Sequence, residues 1–145
     1  MKAVVLVESL TGNTWRAGEM IATKLQDSGV GITELCRVRQ PDHGAIQRAD
    51  LVIVGTWVDG LFIVGQRPRG ESAIGKLPAM VGKKAATFCT FGLNPGKSLD
   101  KLERHVAARG PEVVGGLALH RGKLPQHTDE FVERLLSALS PSPSG

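Results

Sequence analysis

Apolar positions along this chain fall into short runs that alternate between a strand-like and a helix-like pattern. Val4-Val5-Leu6-Val7 is continuous and rich in β-branched residues, which predicts a strand buried on both faces. Ala17, Met20, Ile21 and Leu25 then share one helical face, and Gly29 supplies a C-terminal stop. Val30 to Val38 is a second strand, expected at an edge, followed by a short helix from His43 to Ala49. Leu51-Val52-Ile53-Val54-Gly55 reads as a central third strand. Gly70 to Val81 holds a short third helix, and Lys83 to Phe91 is a fourth strand with Ala85, Ala86, Phe88 and Cys89 inside. Ser98 is expected to cap a helix that turns Leu99, Leu102 and Val106 inward and stops at Gly110-Pro111. Val113 to Leu119 is the fifth strand. Thr128 is expected to cap the last helix, with Asp129 and Glu130 complementing its dipole and Phe131, Leu135 and Leu139 facing the sheet. Such strict alternation predicts a doubly wound parallel sheet in one domain, residues 1–139, with 140–145 a disordered Ser/Pro tail.

The junction between the first strand and the first helix carries the clearest chemistry. Ser9-Leu10-Thr11-Gly12-Asn13-Thr14 places three hydroxyls, an amide and one glycine where a strand ends and a helix begins. Unpaired N–H groups and the positive end of the helix dipole favour an anion at such a point. The hydroxyls add donors, and Gly12 lets the backbone approach closely. This is a phosphate cradle that needs no lysine.

These residues resemble the flavodoxin signature. Ser9, Gly12 and Thr14 match its spaced hydroxyl and small positions, and the wording T-G-N-T stands whole at Thr11–Thr14. Val7, where the family often has an aromatic, and Gly18, where it usually has alanine, depart from the pattern. Ile74-Gly75-Lys76-Leu77-Pro78 with Gly82-Lys83-Lys84-Ala85 is also similar to the family's approach to the fourth strand. Glu112 to Arg121 leaves no room for the loop that long-chain members insert, so the likeness is to the short-chain type. It implies a flavodoxin-like sheet of order 2-1-3-4-5 with helices on both faces.

The resemblance further implies FMN, bound non-covalently where three loops meet at the carboxyl ends of the strands. Ser9 to Thr14 would hold its phosphate. The second loop, Thr56-Trp57-Val58-Asp59-Gly60, would supply an aromatic platform through Trp57, whereas Trp15 reads as packing or surface cover. The third, Phe91-Gly92-Leu93-Asn94-Pro95-Gly96, would meet the ring's polar edge with the backbone of Gly92 to Asn94. Family members often cover the second ring face with tyrosine, and this chain has none, so Phe91, Leu93 or nothing serves there.

Composition narrows the alternatives. The chain is 41% hydrophobic and 22% charged over 145 residues, enough for a real core and far from a disordered composition. No apolar run is long enough to span a bilayer. Cys36 and Cys89, both in predicted strands, suit small buried residues in a reducing cytoplasm. The net charge of +4 is unusual for a family that is mostly acidic. Its basic residues are scattered, and aromatics make up only 4%, which argues against nucleic acid. Gly92 to Ser98 mimics a nucleotide-triphosphate loop but has one residue too few between its glycines. His43, His105, His120 and His127 show no metal spacing, and no serine sits in a nucleophile elbow.

The expected function is therefore electron transfer between redox partner proteins, with no catalytic residue assigned. Arg16, Arg67, Arg69 and Lys97 fall in or beside the three loops, and they point to a partner with an acidic docking face and a raised flavin potential. A cytoplasmic monomer or weak dimer is expected. Leu61-Phe62-Ile63-Val64, between glycines, either tucks under its loop or forms an apolar patch beside the ligand. Two alternatives share the fold. One is an NAD(P)H-dependent FMN or quinone reductase, and the other a flavin-free interaction module.

Overall fold

The structure, a computed structural model, describes residues 1–9, 12–59, 67, 68 and 71–140. Its strands are β1 (Lys2–Val7), β2 (Gly31–Arg37), β3 (Leu51–Asp59), β4 (Arg67–Pro68), β5 (Lys84–Phe91) and β6 (Glu112–His120). Its helices are α1 (Asn13–Asp27), α2 (His43–Arg48), α3 (Glu71–Gly75), α4 (Ser98–Ala107) and α5 (Leu124–Leu139). Five parallel strands run in the order β2-β1-β3-β5-β6, the flavodoxin-like arrangement, and β4 pairs antiparallel with the end of β3.

Side-chain alternation splits the core between the two faces of the sheet. Ala3, Val5 and Val7 of β1 join Ile21 and Leu25 of α1 and Phe131 and Leu135 of α5 in one cluster. Val4 and Leu6 join Ile46 of α2, Ile74 of α3 and Leu102 and Val106 of α4 in the other. Helix α1 ends as its glycine predicts: Gly29, at φ +91°, donates to Gln26 O, and Val30 N–H reaches back to Leu25 O at 2.9 Å. Connections leave β1 towards opposite edges, so the crevice of the switch point opens at the carboxyl ends of β1 and β3.

Three local expectations are corrected. The third strand does not stop at Gly55 but runs to Asp59, so Thr56, Trp57, Val58 and Asp59 are strand, not loop. Gly55 is not a terminator there. A Cβ on it would lie 1.9 Å from the ring of Phe88, its partner on β5, so the glycine makes room for an aromatic lying across the sheet. The short third helix expected within Gly70 to Val81 is Glu71–Gly75, closed before Pro78 by turns back to Ala73 O and Ile74 O. Ser98 does not cap α4. It is the first helical residue, and its buried Oγ has no partner among the described residues. Thr128 does not cap α5, which begins a turn earlier with Pro125 in its first turn, and its hydroxyl donates to Leu124 O at 2.6 Å. Asp129 consequently sits in the second turn, where it pairs with Lys24 of α1.

Candidate functional site

Leu10, Thr11, Gly60, Arg69, the apolar run 61–64 and residues 141–145 lie outside the described residues. What remains of the first turn forms a small cup at the start of α1. Ser9 Oγ accepts the N–H of Gly12 at 3.2 Å and of Trp15 at 3.3 Å. With two N–H groups donated to that oxygen, the Ser9 hydroxyl still has its one proton to donate. Gly12 adopts φ +94°, a conformation L side chains rarely take, and among the described residues no atom beyond its chain neighbours lies within 4 Å of where its Cβ would be. No acidic residue occupies the first turn of α1 to oppose an anion.

Thr14, in the same turn of helix, is buried at 2% exposure, and its Oγ1 lies 2.7 Å from Oγ1 of Thr90 near the end of β5. Each hydroxyl has one proton, so when Thr90 donates to Thr14, the Thr14 proton is left for a third group. Sequence reasoning missed Thr90. A threonine within an apolar strand is ordinary, and only the 76-residue contact marks it.

Trp57 pairs in register with Thr90 across β3 and β5, so the expected platform stands on the strand next to the Thr14–Thr90 bond. Its side chain is half-buried, while Thr56 is fully buried. Trp15 packs against the core beside α1 and carries the Arg37 guanidinium 4.9 Å above its ring centre, which fits surface cover. In the third segment the ring of Phe91 meets the imidazole of His120 edge-on at 5.2 Å. It faces β6, so Leu93, at 73% exposure, is the apolar side chain left in that loop. Asn94 accepts the N–H of Gly96 at 2.9 Å and so shapes the turn into α4.

Of the basic residues expected around the site, Arg16 and Lys97 are exposed, and nothing is described of the Arg67 side chain. Two unexpected arginines enter instead. Arg121 lies against Gly92, with its guanidinium carbon 2.8 Å from where a Cβ would sit. Arg39 donates through Nε to both carboxylate oxygens of Glu8, at 2.9 Å each, immediately before the Ser9 turn. Neither has a motif, since both act across long chain separations.

Burial pushes the Cys89 thiol up to about 12 and raises that of Cys36 as well, so both free cysteines stay protonated and inert at neutral pH. Among the described residues no cluster of His, Cys, Asp or Glu could hold a metal ion, and no helix is long and apolar enough to cross a membrane. The donor set at the cup is three neutral hydroxyl or amide types, a glycine and a helix start. It fits a phosphate monoester better than a free carboxylate, because it offers separate donors to several oxygens.

Comparison with known proteins agrees with this architecture. Of curated proteins, none matches. Among solved structures, the flavodoxin of Streptococcus pneumonia TIGR4 is 20% identical, with a TM-score of 0.70 over 96% of this chain and 100% of that one. Oxidised flavodoxin 1 from Bacillus cereus is 22% identical, with a TM-score of 0.70 over 97% of this chain and 100% of that one. Two-electron reduced flavodoxin of Megasphaera elsdenii is 18% identical, with a TM-score of 0.69 over 95% and 99% respectively. At these identities the likeness speaks for the fold. A model of the flavodoxin domain matches residues 4–141, and the chain therefore belongs to the flavodoxin family.

Proposed function

We propose that the protein binds FMN non-covalently and carries electrons between redox partner proteins. The observation that supports this most is the cup at the start of α1. Ser9 accepts the N–H of Gly12, and Thr14 is braced by Thr90 beside Trp57. Ser9, Leu10, Thr11, Gly12, Asn13 and Thr14 would receive the phosphate. Trp57, with Thr56, Val58, Asp59 and Gly60 around it, would lie along one ring face. Leu93 would cover the other, and the backbone of Phe91, Gly92 and Asn94 would border the polar edge.

A bound flavin supplies the redox chemistry, and the chain supplies orientation, desolvation and charge. With Thr90 donating to Thr14, the Thr14 proton would go to the phosphate, as would that of Ser9, whose oxygen already accepts two N–H groups. Arg121, packed on Gly92, brings a cation to the segment that would border the flavin. With Arg16 and Lys97 it raises the flavin's potential above that of an acidic relative. Indole fluorescence tests the reading. FMN should quench Trp57, and Trp57→Ala should weaken FMN binding more than Trp15→Ala does. Equal effects of the two substitutions would remove Trp57 from the site.

A further inference from the structure

A basic concavity adjoins the cup on its β2 side. Arg39 and Pro41 border it from the β2–α2 connection, His43 from the start of α2, Ala73 from α3, and Lys76 from the turn that follows, around about 360 Å³. The ion pair beneath Arg39 is lopsided. The Glu8 side chain is only 12% exposed, while that of Arg39 is 66% exposed, so the pair turns its cation to solvent. Asp42, next to the lining residues Pro41 and His43, is engaged as the cap of α2, where it accepts the N–H of Ala45 at 3.0 Å. Arg48 folds back over Gly44 beside it. Among the described side chains that line the concavity, the charged ones are Arg39 and Lys76, both cationic.

We infer that this concavity docks acidic side chains of a redox partner protein, an inference that rests on the electron-carrier reading. Two separate chain segments contribute the nitrogen-bearing side chains, Arg39 and His43 from one and Lys76 from the other, with apolar Pro41 and Ala73 between them. A protein surface with spaced carboxylates fits that layout, whereas a small anion would need donors converging on one point. The location serves transfer. Arg39 grips Glu8, and the next residue, Ser9, belongs to the cup, so a partner held here lies at the same end of the sheet as the cofactor.

The test is a titration of the full chain with a hexaglutamate peptide, read by backbone amide NMR and run beside an FMN titration. Shifts should centre on residues 38–43 and 72–76 and weaken about tenfold or more between low salt and ~0.2 M salt. Arg39→Gln with Lys76→Gln should suppress them. Lys76→Gln alone, whose side chain has no bond to break among the described residues, should weaken them several-fold and leave FMN affinity unchanged. Shifts spread evenly over the basic surface, or indifferent to these substitutions, would overturn the inference. Inorganic phosphate binding there as tightly as the peptide would also overturn it, in favour of a small-anion pocket. Localised shifts in a protein that takes no FMN would support acidic docking while overturning the electron-carrier reading.

Discussion

Replacing Thr14 by valine separates two roles that one hydroxyl plays. Thr14 Oγ1 is 2.7 Å from Thr90 Oγ1 and both residues are buried, so Thr14→Val strands the Thr90 hydroxyl without a partner or water. Leaving one such group unsatisfied costs ~1–3 kcal/mol of stability. Thr90→Val should cost a similar amount by stranding Thr14. The double variant Thr14→Val/Thr90→Val removes both polar groups with little change of volume and should return close to wild-type stability, because paired removal is nearly neutral. The cycle thus predicts a coupling of about 1–3 kcal/mol between the sites. FMN affinity should follow a different order. Both variants that lack the Thr14 hydroxyl lose a hydrogen bond to a charged phosphate, worth roughly 10- to 150-fold in affinity. Thr90→Val keeps that donor and should lose far less. Urea unfolding of the apoprotein gives the stabilities, and flavin fluorescence titration gives the affinities. Additive stability losses would refute the buried pair. A double variant that recovers FMN binding along with stability would refute Thr14 as a phosphate donor.

Three further outcomes follow from close contacts and burial. A Cβ on Gly18 would sit 2.7 Å from Cγ2 of Val7, so the two departures from the family pattern touch. Gly18→Ala should destabilise the native chain by ~1–3 kcal/mol through overpacking but stabilise a Val7→Ala background, and thermal unfolding showing one sign in both would contradict this. On β6 the neighbouring glycines should behave oppositely. Gly115→Ala meets nothing within 4 Å and should be neutral or stabilising, whereas Gly116→Ala would press within 2.8 Å of Thr87 Oγ1 and Glu103 Oε1 and should destabilise. For Cys89, burial raises the thiol from 9.0 to about 12, so the folded state holds a proton that the unfolded state releases between those values. Stability should fall across that window as pH rises, by up to ~1.4 kcal/mol per unit, and Cys89→Ala should show a shallower slope in urea titrations.

Legibility varied with how local each determinant is. β1 and α1 were readable because a β-branched run passes straight into a helical stripe. The end of β3 was not, since Gly55 reads as a breaker until Phe88 of another strand fills its face. Ser98 and Thr128 have cap chemistry, but Pro125 in one case and the turn at Pro95–Gly96 in the other set where the helices begin. Thr90, Arg39 and Arg121 were silent because their roles come from partners far along the chain or from bare backbone, and no pattern of neighbours encodes that.

The central claim is that the cup at the start of α1 holds the phosphate of FMN. Adding FMN to the purified protein and recording its visible spectrum and flavin fluorescence tests this most directly. Uptake of one FMN per chain, with a shifted visible band and quenched flavin emission that Thr14→Val weakens, is the predicted result. A flavin spectrum and emission unchanged by excess protein would contradict the account.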